Sequence, residues 1–205
     1  VGALPGQEVR EPGLAAGALT VPWLLVGTGV AAIGIGRSLS RTTFAPTIGI
    51  DCSMIFLAVG AAWLTISRGA LRPLGFSDTI VQLTAVHFHY AGFALPLVAG
   101  LAAQRTRATA LVPLLAAVSV PLTAIGITVG GTLEWLAATT MAIAGLATAA
   151  LLVRAFVNGR DRFAVLLLPA AAALTAGMCL ALAWAWSVQF GWDHLDIDAM
   201  ARWHG

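Results

Sequence analysis

Lysine is absent from this chain, tyrosine occurs once, and charged residues make up only 10 % of its 205 positions. A soluble domain carries about 25 % charge on its surface. With 59 % hydrophobic residues and a mean hydropathy of +0.90, the chain has too little polar surface for water to be its solvent. Cysteine is equally scarce. Cys52 and Cys179 fall in apolar stretches without CxxC spacing, which excludes a zinc ribbon or a disulfide scaffold and leaves two small buried residues. The N-terminal stretch from Val1 has no short basic segment leading into a 7–15-residue apolar core and cleavage site, so we read no removable signal peptide. The net charge of +2 is small, and no arginines line a face with stacking aromatics between them, so nucleic acid is not an expected partner.

What the chain has is long apolar runs. Six reach the roughly 20 residues needed to cross a hydrocarbon core of about 30 Å. They lie at Leu14–Gly36, Thr47–Ser67, Thr79–Ala103, Ala108–Val129, Leu133–Val153 and Phe163–Phe190. Alternating barrel strands are missing, and an unpaired backbone group in lipid costs several kcal/mol, so the runs must be helices. The expected fold is all-α: a polytopic bundle of six transmembrane helices, with residues 1–205 forming one transmembrane domain. Short connections make consecutive helices antiparallel, and Gly130-Gly131 marks the tightest turn. Small residues, as in Gly126-x-x-x-Gly130, let backbones approach closely without specifying a dimer face.

Arginine divides unevenly between the two ends. Arg37, Arg41, Arg105, Arg107, Arg154, Arg160 and Arg162 fall in loops one, three and five, with Asp161 the one nearby acid. Arg10, Arg68, Arg72 and Arg202 fall at the opposite end among six carboxylates. Basic residues are retained inside, which predicts a bacterial plasma-membrane protein with these three loops cytoplasmic and its N-terminus outside. Asp51, a turn inside the second helix, reads as a cap or an interhelical pair.

The polar exception to this apolar pattern is TIVQLTAVHFH, Thr79–His89. Two histidines and a glutamine enter a membrane-length helix, where ionisable residues are costly and tend to be functional. On an α-helix His87 and His89 point about 200° apart, so they cannot clamp one ion together. Asp78, Gln82, His89 and Phe93 share one stripe; Thr84, His87 and Tyr90 or Ala91 share another. Pro96 frees the carbonyl of Gly92 and predicts a kink beside the histidines. Glu134 falls in the same half of the bilayer, as an N-terminal-turn carboxylate or a partner for an imidazole. His194 and His204 fall there too. Trp23, Trp63, Trp135, Trp184, Trp186, Trp192 and Trp203 all map toward that end, as an anchoring belt or as the walls of a cavity for an apolar or isoprenoid ligand. The run Asp193–Asp198 lacks the glycine and terminal glutamate of a calcium loop and reads as a helix cap.

LTAVHFHYAGFALPLVAG (Leu83–Gly100), AAWLTISRG (Ala61–Gly69) and MARWHG (Met200–Gly205) together resemble the YndJ-like family of bacterial membrane proteins. The family has no established activity, so the resemblance implies a topology and gives weight to His87, His89 and His204 without naming a reaction. It also implies a seventh helix beginning at His204-Gly205, and Val1 in place of methionine is read as the mark of a fragment. His87-Phe88-His89-Tyr90 is locally similar to the HFHY helix of haem-copper oxidase subunit I. The other metal histidines of such an oxidase have no counterpart here, which excludes a binuclear centre but leaves a single haem between His204 and His87 or His89.

Three functions follow as expectations. In the first, His87, His89, Tyr90 and Glu134 form an acid/base site for a lipid or isoprenoid, lined by Trp63, Trp135, Gln82, Phe93 and Trp184; histidine suits such work because its pKa of about 6.5 lies near operating pH. In the second, His87, His89 and His204 supply ligands to haem or a transition metal. In the third, a transporter or structural membrane subunit uses the histidines to lock its helices. Oligomeric state is not readable from the sequence.

Overall fold

The computed structural model describes residues 13–42, 45–159 and 162–191. Its helices are α1 (Leu14–Ala18), α2 (Val21–Leu39), α3 (Ile48–Arg68), α4 (Asp78–His87), α5 (Leu95–Thr106), α6 (Leu111–Val129), α7 (Gly131–Val157) and α8 (Leu167–Phe190). A π-helical segment, Phe88–Ala94, joins α4 to α5 without a break. Short 3-10 turns lie at Pro73–Gly75 and Arg162–Leu166. No strand forms among the described residues.

Among the described residues six helical stretches are long and apolar enough to cross a membrane, and they coincide with the six expected runs. The longest uninterrupted α-helix among the described residues, α7, has 27 residues, about 40 Å at 1.5 Å per residue. It outreaches a hydrocarbon core of about 30 Å and must tilt or project from it. Positive φ angles of 77° at Gly130 and 62° at Gly131 make the immediate turn from α6 into α7, a conformation glycine adopts at little cost. Ser77 caps α4 by accepting from the Ile80 amide at 3.3 Å.

Helices α3, α5, α6 and α7 form the middle of the bundle, with the α4–π stretch laid along α3. Phe88, Leu95, Ala99, Ala116, Val120, Met141 and Ala144 interlock at one level, and Ala102, Ala103, Ala149, Leu151, Leu152 and Ala171 at another. Alanine dominates because bilayer helices associate by close backbone packing and not by escape from water. Hydroxyls in these helices are satisfied locally. Buried Thr148, for example, donates to the Ala144 carbonyl one turn back at 2.8 Å.

The flanking helices are held differently. α2 packs along α3, where Gly27, Ala31 and Gly34 are buried. A methyl on Gly34 would stand 2.8 Å from the Asp51 carbonyl oxygen, so only glycine allows this approach. α8 packs on α7, yet 6 % of its most apolar stretch is buried, against 50 % for α7.

Candidate functional site

Histidines enter the bundle where α4 passes into the π segment, and the wider turn of that segment has an identifiable neighbour. Pro96 has no N–H to return to Gly92, and the seven residues ending at Ala94 take the π form just before it. The expected proline kink is therefore taken up by a widened turn that contains His89. His87 is the last residue of α4, and the two imidazoles diverge to different neighbours as the helical spacing requires.

His89 reaches α2 and α3. Its ring stacks on Trp23 at 6.1 Å between centroids, and the Trp23 Nε1–H donates to Nε2 at 2.9 Å. The other ring nitrogen, Nδ1, lies 2.8 Å from the Ala85 carbonyl oxygen. An indole N–H only donates and a carbonyl only accepts, so the proton must sit on Nδ1 and the lone pair on Nε2. This arrangement fixes one neutral tautomer. Gly60 of α3 supplies the seat: a methyl there would stand 2.8 Å from Nδ1 and 3.0 Å from Cε1.

His87 faces α6. Its Nε2 lies 3.3 Å from the Val120 carbonyl oxygen, and its ring stands edge-on to Phe88 at 5.6 Å. The same donor–acceptor logic places the proton on Nε2, opposite to His89. One flanking histidine is thus bonded at both nitrogens, the other at one through a long contact.

The remaining predicted residues are dispersed around this pair. Tyr90 is 72 % exposed and points out of the bundle, and Gln82 is also exposed. Phe93 is half-buried on the π segment. Asp78 turns away from the histidine stripe to Arg72, with Nε–Oδ1 at 2.8 Å and Nη2–Oδ2 at 2.5 Å; this bond makes the Arg72 guanidinium still harder to deprotonate. Glu134 stands in the first turn of α7, and no hydrogen bond or ion pair joins it to either imidazole among the described residues.

Tryptophans gather at one end but in separate groups. Trp63 meets Phe76 at 6.3 Å, whereas Trp135 meets Trp186 at 6.0 Å and Trp186 meets Phe190 at 5.3 Å. The Trp135 indole N–H is buried without a hydrogen-bond partner among the described residues. Trp184 offers its carbonyl to the Ser187 hydroxyl at 2.7 Å. His194, His204, Trp192, Trp203 and the Asp193–Asp198 run lie outside the described residues, and within those described no three His, Cys, Asp or Glu side chains are grouped to hold a metal ion.

Sequence reasoning missed two contributors. The sequence reads Trp23 as belt or cavity wall without pairing it to His89, and it does not single out Gly60; a glycine facing a histidine-bearing helix is the signal that finds the seat. Asp51 realises the expected interhelical pair. Fully buried, it meets Arg37 Nε at 2.8 Å through Oδ1 and Arg41 Nη1 at 2.6 Å through Oδ2.

Comparison with known proteins adds a family. A sequence profile described as YndJ-like protein matches residues 9–205. A protein of Bacillus subtilis (strain 168), described as uncharacterized membrane protein YndJ, is 39 % identical over 54 residues. That alignment covers 26 % of this chain and 10 % of the relative, so the match spans about a tenth of the relative's length. No solved structure matches.

Proposed function

The chain belongs to the YndJ-like family, and we propose that it serves as a structural membrane module whose two histidines, at the junction of α4 and the π segment, lock helices together. The observation carrying this reading is the double engagement of His89, whose nitrogens are both committed to protein partners. A general base needs an open lone pair and a metal ligand needs the same, and on His89 the Trp23 indole already occupies it. His87 repeats the theme more weakly across α6. Each such interhelical bond contributes about 0.6 kcal/mol on average and up to about 1.7 kcal/mol in membranes. In this reading the arginine-rich end faces the cytoplasm of a bacterium, the N-terminus lies outside and the membrane is the plasma membrane, following the retention of basic loops.

One observation favours a second reading, an isoprenoid or lipid ligand. The Trp23–His89 bond lies at the exposed side of the bundle, and Tyr90 beside it presents a phenol outward. A polar-headed apolar molecule lying along α4 would find both groups.

Purification in detergent, followed by a visible spectrum, metal analysis and mass spectrometry of retained lipids, separates these readings from the haem or metal alternative. The structural reading expects a colourless protein and His89→Ala and His87→Ala variants that unfold more easily while retaining the same lipids as the parent. A visible band or a bound lipid lost in either variant, with stability unchanged, would overturn it.

A further inference from the structure

The carboxylate of Asp51 meets two guanidiniums at the arginine-rich end of the bundle, and its burial makes that arrangement more than a surface ion pair. Asp51 is 0 % exposed, with Arg37 on Oδ1 and Arg41 on Oδ2. Oδ1 accepts an aligned hydrogen bond from Arg37 and Oδ2 meets Arg41 in a charge contact, and two positive groups against one negative leave a unit positive charge. Arg37 spends only its Nε on the carboxylate, and its side chain is 46 % exposed. No other partner of the Arg37 guanidinium is recorded among the described residues. Its terminal amino groups are therefore held in a fixed place by the buried acid and remain available to a ligand.

Depth sets the kind of ligand. Arg37 is two residues from the end of α2, and Asp51 is three residues into α3, about 5 Å below its start at 1.5 Å per residue. α3, with 21 residues or about 31 Å, matches a hydrocarbon core of about 30 Å, so an arginine side chain extending outward from this end of the bundle reaches the level of a lipid phosphate. The guanidinium fork matches phosphate oxygens in two parallel hydrogen bonds, and excess positive charge favours an anion. Arg107, exposed at the same end of the bundle, has no such carboxylate to orient it among the described residues.

We propose that Arg37 and Arg41, pre-oriented by Asp51, form a binding site for the phosphate of an anionic lipid headgroup. Asp51 fixes the geometry, Arg37 supplies the fork, and Arg41 balances the acid while adding positive potential. The site differs from diffuse attraction in depending on which arginine is changed and not only on charge.

The test reconstitutes the full chain in phosphatidylcholine vesicles with and without phosphatidate, and reads retained lipid by native mass spectrometry. The parent protein should prefer phosphatidate. Arg37→Gln should reduce that preference about tenfold, the loss expected for a charge-assisted bidentate contact, while Arg107→Gln changes it less than about twofold. Arg37→Lys, which keeps the charge but loses the fork, should behave closer to Arg37→Gln than to the parent. If Arg41→Gln fails to fold, Arg37→Lys still reads the phosphate contact, since the Arg41–Asp51 pair remains. Equal losses from Arg37→Gln and Arg107→Gln, or no preference for phosphatidate in the parent, would overturn the site. Inorganic phosphate is the third arm: displacement of the lipid by phosphate at equal concentration would overturn the lipid as its source.

Discussion

The two outer helices of this bundle are fastened by different means. α2 is joined to its neighbours by polar bridges at both ends: Trp23 to His89 and Thr20 to Thr65 at 2.9 Å at one end, Arg37 to Asp51 at the other, with buried Gly27, Ala31 and Gly34 between. α8 meets α7 through apolar and aromatic packing, with Met178 over Gly145 and Trp186 edge-on to Trp135. Van der Waals packing attaches a helix but leaves its rotation poorly determined, whereas hydrogen bonds in a low-dielectric bundle fix register and direction. The α2–α3 seam is therefore specified residue by residue, and the α7–α8 seam by shape.

That contrast can be broken at its strongest point. Asp51→Ala leaves two guanidiniums beside an empty carboxylate site; with Arg37 half in solvent, the loss should be about 3 kcal/mol, the low end for a broken buried pair. Reversible unfolding in mixed micelles checks it, and a loss below that of any α8 substitution would erase the distinction between seams. Gly60→Ala comes next. The added methyl collides with the His89 ring, and overpacking of this kind costs about 1–3 kcal/mol. Trp23 should report the displacement as a shift in indole emission, which a remote packing defect would not produce.

A finer cut compares the two histidines. His89→Ala removes two bonds and a stacked ring and should cost about 1–2 kcal/mol, while His87→Ala removes one long bond and should cost about 0.5 kcal/mol. The reverse order would mean that the α6 side holds the π segment. The smallest effect is expected at Tyr90→Phe, within about 0.5 kcal/mol, because the phenol is exposed and makes no hydrogen bond among the described residues. A larger loss in lipid than in detergent would show that something in the membrane binds it.

How much of this could be read from the sequence depends on the residue. The six spans were legible because a run of about 20 apolar residues has few other uses. The divergence of His87 and His89 was legible because helical spacing allows little else. Gly130-Gly131 announced its turn. The π segment was not legible: Pro96 predicted a disturbed helix, but a kink and a widened turn answer the same missing N–H, and one helix's own residues do not say which. Among the described residues no hydrogen bond joins Glu134, Trp135 or Tyr90 to the imidazoles, and sharing a depth in the membrane says nothing of sharing a face.

Composition and hydropathy by themselves determined the solvent and, among the described residues, six helices of membrane length, because a bilayer imposes length and depth on any chain. Azimuth was left to the tertiary structure. Whether His89 meets Trp23 or solvent, and whether Asp51 finds one arginine or two, depends on how closely α2 and α3 approach and on the rotation that the π turn adds. Those are properties of packed backbones, which no single helix carries in its own residues.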